Sequence, residues 1–225
     1  MFERTSLLIG EDNLNKIRNL NILVLGVGGV GGYAIETLIR SGLEKITLVD
    51  YDKIDITNLN RQIITNCGNI GNYKVDEFKK RILSINSNVE VNIINKKIDR
   101  DNIDLLFEHN YDYIIDACDT VIVKKLLIKK CHNRGINLIT VCGMGKKLDP
   151  SKVRVCDIRN TSYDPIAKML RKYVKDERIK GKVICISSDE KPINNDKNIT
   201  SSMMMVPAVA GIVAASYIIN KTISQ

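Results

Sequence analysis

The segment Gly26-Val-Gly28-Gly29-Val-Gly31-Gly32 constrains this chain more than any other, because of where it lies. It joins an apolar run, residues 21–26 (NILVLG), to a helix-patterned stretch, residues 31–42, whose Ala34, Ile35, Leu38 and Ile39 fall on one side. A continuous β-favouring run without polar alternation is a strand buried on both faces. Glycine is needed at the junction because the backbone must turn sharply and present N–H groups without Cβ atoms in the way. The helix start behind it adds a dipole that favours an anion. Asp50 ends the next apolar run, residues 45–50 (KITLVD), where a carboxylate reaches ribose hydroxyls. Taken alone this is a dinucleotide-binding fingerprint, and an NAD-linked enzyme is its first reading.

The same alternation continues downstream. Residues 75–85 read as a basic amphipathic helix, 89–94 and 111–116 as strands, 121–134 as a helix and 137–141 as a fifth strand. Strands separated by helices with short connections predict an α/β fold, a Rossmann-like, doubly wound and mainly parallel sheet. After residue 143 the pattern changes. Residues 153–158 (VRVCDI) and 182–187 (KVICIS) read as shorter, more antiparallel strands around a basic helix near 165–175. The Asn-rich stretch 188–201 reads as a mobile loop. No internal repeat is visible, so residues 1–225 are expected to form one domain. It comprises an N-terminal helical arm (1–20), a nucleotide-binding core (21–142) and a C-terminal subregion facing the substrate (143–225).

Composition excludes several classes. With 225 residues, 44% of them hydrophobic and 27% charged, the chain can build a sizeable core. The six cysteines include no Cys-x-x-Cys pair, which argues against a structural zinc or a thioredoxin-type couple. The opening MFERTSLLIGEDN has no secretory apolar core, and a cytoplasmic location is expected. The apolar run 203–219 falls short of a comfortable bilayer span and is interrupted by Pro207, Gly211 and Ser216. A buried helix packed on the sheet is expected there, with no stable membrane span; Tyr217 and Lys221 leave contact with a membrane surface open.

The residues after Asp50 argue against NAD. Asp52, Asp55, Asn58, Asn60, Arg61 and Gln62 crowd into a short polar segment, and Lys74 lies soon after. A dinucleotide needs little there beyond the ribose acid. A triphosphate needs cations and amides that converge on it, and a carboxylate for Mg²⁺. Asp119, in Asp116-Ala-Cys-Asp119, stands at the carboxyl edge of the fourth strand, where such sheets bind ligands.

These residues resemble the E1-like adenylating enzymes, the ThiF/MoeB superfamily. The GVGGVGG loop with Gly26, Gly28, Gly29 and Gly31, the VDYD with Asp50 and Asp52, the Asp55-to-Gln62 segment, Lys74 and the DACD turn occur in the expected order. The resemblance implies that ATP is the ligand, that Asp50 binds ribose, and that Asn58, Arg61 and Lys74 contact phosphates beside Gln62. It implies that Asp119 ligates Mg²⁺. Arg4 matches an arginine that the superfamily supplies to the partner subunit's ATP, which implies a homodimer. The sulfur-carrier-activating branch has paired Cys-x-x-Cys motifs, absent here. FERTSLLIGEDNL, KKLDPSKVRVCDI, TSYDPIAK, SDEKP and PAVAGIVAA instead resemble the tRNA threonylcarbamoyladenosine dehydratase branch over nearly the whole chain. One departure is that stretch 188–201 contains no cysteine, although some members carry one there.

The implied chemistry is ATP-dependent cyclisation of a threonylcarbamoyl group on tRNA through an acyl-adenylate. Arg4, Arg61, Lys74 and Asp119 would stabilise the phosphates. The alternative is adenylation of the C-terminus of a ubiquitin-like sulfur carrier. A monovalent cation and a cysteine desulfurase or other sulfur-acceptor partner are left open. The net charge of +8 suits an anionic partner. Arg159, Lys168, Arg171, Lys172, Lys175, Arg178, Lys180 and Lys182 concentrate much of it against only Asp164, Asp176 and Glu177. Arg171, Lys172 and Lys175 are expected on one helix face, tracking an RNA backbone. Lys124, Lys125, Lys129 and Lys130 are expected on an exposed helix face, and His109 and His132 as surface or packing residues.

Overall fold

In the computed structural model, which describes residues 1–193 and 200–224, the apolar runs become strands of one sheet. Helices α1 (Glu3–Ile9) and α2 (Glu11–Asn19) lead into β1 (Asn21–Leu25), and the glycine segment opens α3 (Gly31–Arg40). Next come β2 (Lys45–Val49), α4 (Lys74–Ile85), β3 (Glu90–Ile94), β4 (Tyr113–Asp116), α5 (Val121–Arg134) and β5 (Asn137–Val141). The chain then forms β6 (Val153–Asp157), α6 (Pro165–Asp176), β7 (Ile184–Ser188) and α7 (Met205–Ile223).

The seven strands lie in the order β3-β2-β1-β4-β5-β7-β6. β1 pairs in parallel with β2 on one side and β4 on the other, Leu25 standing opposite both Val49 and Asp116. Connections run outward in both directions from this pair, so β1 and β4 form the topological switch point. Such sheets open a ligand crevice outside the carboxyl ends of these strands. The backbone continues the pairing there: Gly26 N–H donates to the Val49 carbonyl and Ala117 N–H to the Leu25 carbonyl, both at 2.8 Å.

The C-terminal half extends this sheet. β7 inserts between β5 and β6, parallel to the first (Thr140 opposite Cys185) and antiparallel to the second (Cys156 opposite Cys185). β6 and β7 each have five residues, as long as β1, so the expectation of shorter strands does not hold. Asp164 caps α6 by accepting from Ala167 N–H at 2.7 Å, and Pro165 occupies the first helical turn.

One face of the sheet buries Ile22, Val24, Ile46 and Leu48 against α3, α4 and α7. The other buries Leu23, Leu25 and Ile114 against Leu127 of α5. A third cluster, with Ile158, Leu170 and Cys185, lies under α6. Each fully buried aliphatic side chain contributes about 1.5–3 kcal/mol.

The apolar run near the C-terminus forms α7, which packs on α3. The approach is close enough that a Cβ on Gly211 would stand 2.2 Å from the Val30 carbonyl oxygen. By length and composition alone this helix could cross a membrane, and 50% of that window is buried inside the fold. Of the stretch read as a mobile loop, Ser188 closes β7, and residues 194–199 lie outside the described residues.

Candidate functional site

At the switch point a cavity of about 300 Å³ is lined by Gly26, Gly28, Asp50, Asp52, Asn58, Arg61, Gln62, Lys74 and Asp119, among others. One end of the sheet thus gathers most of the candidate ligand-binding residues. Gly29 lines the neighbouring cavity, and Gly31 is buried at the start of α3.

The glycine segment is sterically required at two points. Gly26 has φ +87°, and a Cβ there would lie 2.8 Å from the Ala117 carbonyl oxygen. A Cβ on Gly31 would lie 1.8 Å from the Gly26 carbonyl oxygen, so no larger residue fits without breaking the turn. The Asp50 carboxylate holds this turn against the end of β2. Its Oδ2 accepts from Val27 N–H at 2.8 Å and its Oδ1 from Asp52 N–H at 2.9 Å.

Residues 55–62 fold as a tight polar turn. Asp55 accepts from Thr57 N–H, and Asn58 Oδ1 accepts from Asp55 N–H at 3.1 Å, a reciprocal capping arrangement. That leaves the Asn58 amide NH₂ as the end available to the cavity. Arg61 donates through Nη1 to the Thr57 carbonyl at 2.7 Å and to Asn60 Oδ1 at 2.9 Å. Gln62 is buried, yet its Oε1 has no hydrogen-bond partner among the described residues. A buried acceptor without a partner in a polar cavity has a free lone pair to offer a ligand that donates to it. Lys74, the first residue of α4, is buried and pairs with Asp52 Oδ2 at 2.8 Å.

Asp119 is exposed past the end of β4 and faces both cavities. Among the described residues no group of three His, Cys, Asp or Glu could hold a metal by itself. Mg²⁺ commonly takes one or two carboxylates plus substrate phosphates, so a single exposed Asp beside a phosphate-sized turn fits that donor set. The adjoining Cys118 thiol is pushed well above its ordinary range by burial and by the Asp116 carboxylate, to which its Sγ donates at 3.0 Å. It therefore stays protonated and is a poor nucleophile.

The second cavity, about 340 Å³, shares Arg61, Cys118 and Asp119 with the first. Its far wall comes from Cys142–Gly145 after β5, Ile166, and Thr200 and Ser202 before α7. Sequence reasoning does not reveal it, because its walls are far apart along the chain; Gly143-Met-Gly145 after a strand is the available signal. Arg4 lies on exposed α1, which buries no residue and leaves Leu7 and Leu8 outward, and it lines neither cavity of its own chain.

The lysine-rich face of α5 requires correction. Lys124 is fully buried, not exposed; its Nζ pairs with Asp116 Oδ2 at 3.1 Å and donates to the Val141 carbonyl at 2.8 Å. Burial is the largest single influence and opposes its charge, but Asp116, together with Cys118 and Cys142, more than offsets it, so the ammonium is held above the ordinary lysine range. Lys129 pairs with Glu177 and Lys130 with Asp104, both at 2.7 Å, and Lys125 lies over the Tyr173 ring. Arg171 is likewise not a free surface cation. Half-buried, it donates to the Thr161 carbonyl at 2.8 Å, and Lys172 pairs with Asp176. Arg159, Arg171, Lys175 and Arg178 surround a basic groove of about 370 Å³. His109 packs edge-on to Tyr111, and His132 lines a cavity at the opposite edge of the sheet.

A parallel sheet with a glycine turn at its switch point, an orphaned glutamine and converging cations defines a nucleotide-binding α/β protein. The chain belongs to the ThiF family, whose profile matches residues 2–224. It is 39% identical over 235 residues to the tRNA threonylcarbamoyladenosine dehydratase of Bacillus subtilis (strain 168), covering 97% of this chain and 92% of that one. The crystal structure of the Escherichia coli tRNA N6-threonylcarbamoyladenosine dehydratase in complex with ATP superposes with a TM-score of 0.93. The two are 34% identical, and the match covers 99% of this chain and 93% of that one. A molybdopterin-synthase adenylyltransferase of Haemophilus influenzae is 26% identical over 163 residues, 72% of this chain and 66% of its own length.

Proposed function

We propose that this chain is an ATP-dependent tRNA threonylcarbamoyladenosine dehydratase, which activates the threonyl carboxylate of the modified adenosine and closes it into a ring. The observation that carries this reading is the junction of the two cavities. A nucleotide-sized one and an acceptor-sized one share Arg61 and Asp119, so an acceptor carboxylate in the second reaches the α-phosphate held in the first.

The chemistry stems from the leaving group. A carboxylate is a poor electrophile because oxide would have to depart. Its oxygen attacks the α-phosphorus of ATP, the bond to the β-phosphate oxygen breaks, and pyrophosphate leaves with that electron pair. The acyl-adenylate now carries AMP as its leaving group. A nitrogen or oxygen of the same modification attacks the activated carbonyl, loses its proton and expels AMP. This step is intramolecular, so proximity replaces an enzyme nucleophile, in keeping with a protonated Cys118.

Asp50 orients the ribose, and the amides from Gly28 onward cradle phosphate, Val27 N–H being held by Asp50. The Asn58 amide, Arg61 and Lys74 offset the charge that develops on the phosphates. Asp119 would hold Mg²⁺, which when bound supplies further neutralisation of that charge. We assign a homodimer in which Arg4 completes the partner's site; the exposed Leu7 and Leu8 of α1 support an interface there. The 143–225 subregion, with its basic groove, faces tRNA, and the cytoplasm is the compartment such a substrate implies.

Pyrophosphate exchange tests the reading. Exchange that requires tRNA carrying threonylcarbamoyladenosine, together with loss of the cyclic nucleoside from cells lacking the protein, is expected. Exchange that requires a ubiquitin-like carrier protein instead would overturn it in favour of sulfur-carrier activation.

A further inference from the structure

A charged group behind the second cavity has no part in the adenylation and ring-closing steps. Lys147 is only 3% exposed, and among the described residues its Nζ donates to a single acceptor, the Ser188 carbonyl at 3.3 Å. Among the described residues no carboxylate forms an ion pair with it. Nearby on β7, the Ser187 hydroxyl is buried with no hydrogen-bond partner among the described residues. A buried ammonium without a contacting carboxylate is costly to maintain. Burial lowers the affinity of Lys147 for its proton below the ordinary lysine range, while Asp164, Cys142, Glu190 and Asp189 pull the other way.

The surroundings tie this charge to the acceptor wall. Lys147 belongs to the loop whose first residues, Cys142–Gly145, line the second cavity. Asp164 packs directly against that wall, since a Cβ on Gly143 would come within 2.7 Å of its Oδ2. Glu190 holds the far end of the loop by accepting from Leu148 N–H and Asp149 N–H, each at 2.9 Å. The loop is therefore clamped with its lysine turned inward. The charge is coupled electrostatically to Asp164 and to Cys142, both at that wall, and at 3% exposure it is weakly screened, so its field reaches the cavity.

We propose that Lys147 is a positioning residue for the acceptor: its buried ammonium, without touching the substrate, strengthens the second cavity's preference for a group that presents a carboxylate. The proposal rests on the dehydratase function and adds a source of its charge selectivity. It predicts that charge, not shape, distinguishes the carboxylate from a neutral isostere, and that Lys147 adds to the distinction made by Arg61 in the cavity wall.

The test compares the full-length protein's affinity for tRNA carrying threonylcarbamoyladenosine with that for the same tRNA methyl-esterified at the threonyl carboxylate. Wild type should favour the carboxylate by about tenfold or more. Lys147→Met should lower the ratio by about threefold or more, Arg61 of the cavity wall supplying the remainder, while ATP affinity and ester affinity stay unchanged, and Lys147→Arg should retain it. An unchanged ratio in a Lys147→Met protein that still binds ATP overturns the proposal. Should that variant fail to bind ATP, a wild-type titration decides. The ratio should fall as the pH rises through the lowered lysine range, with the same fall in Cys142→Ala; a ratio constant across that range overturns the proposal. Wild-type pyrophosphate exchange is measured alongside. Its absence with modified tRNA overturns the assigned function, whereas normal exchange with an unchanged ratio in Lys147→Met overturns the role of Lys147 alone.

Discussion

Replacing Lys124 with methionine isolates the buried pair beneath the site. The substitution keeps the length of the side chain and deletes its charge. Lys124 and Asp116 are both 0% exposed and 3.1 Å apart, and Lys124 also satisfies the carbonyls of Asp116 and Val141. Without it, the Asp116 carboxylate keeps Thr140 Oγ1 at 2.6 Å and Cys118 N–H at 3.3 Å but has no countercharge. Breaking a buried pair from one side costs about 3–5 kcal/mol, because it strands the other charge. In a chain of this size each kcal/mol lowers the melting temperature by about 2–4 °C, so a drop of roughly 6–20 °C is expected. Urea denaturation of Lys124→Met, Asp116→Asn and the double variant supplies the cycle. The double variant should be no less stable than Lys124→Met, since the stranded charge is gone. The sign of the pH dependence comes from the raised affinity of Lys124 for its proton. The pair's contribution is complete below the ordinary lysine pKa and is lost only as pH rises through the higher folded value. A loss under about 1 kcal/mol, as for a surface lysine, would refute the buried pair, and so would strictly additive single losses.

Calorimetry should show ATP binding and no comparable NAD binding, because Asn58, Arg61 and Lys74 line one cavity as a polyphosphate site requires; NAD binding without ATP binding would end the adenylation reading. Asp119→Ala should lower AMP release by about 100-fold or more with an unchanged melting temperature, and normal turnover would remove Asp119 from the site. Mixing Arg4→Ala with Asp119→Ala subunits should restore activity that neither has alone, while an active monomer in light scattering would refute the assignment of Arg4 across an interface. Lys175→Gln with Arg178→Gln should flatten the salt dependence of tRNA binding by about 0.7–0.9 log units per lost phosphate contact. The control, Lys129→Gln with Lys130→Gln, should leave it nearly unchanged; a larger effect from the control would place the RNA surface elsewhere.

The strands and the nucleotide turn can be read from the chain because both depend on local features. Continuous apolar runs mark β1 and β4, and only glycine fits where Gly26 and Gly31 stand. Asp50, Asn58, Arg61 and Lys74 lie close along the chain, so their order alone suggests that they converge. What escapes depends on distant partners. Lys124 sits among other lysines on a helix and reads as solvated until β4 and β5 close around it. Arg171 has the spacing of a surface cation, and its engagement with Thr161 is set by how α6 folds back on the preceding turn. The second cavity needs the loop after β5 to meet the entry to α7, and no periodicity encodes that meeting.

The contact between Gly211 and Val30 orders events in time. Val30 sits inside the glycine turn, near the beginning of the chain, whereas Gly211 belongs to its final helix. During synthesis the strand and turn that receive the nucleotide emerge early, but the surface that backs α3 arrives last. Segments separated this widely pair late, after the loop between them has been closed. The brace behind the glycine turn is thus complete only once α7 has formed. A chain halted before residue 205 would display the whole glycine motif and still lack the helix that braces it.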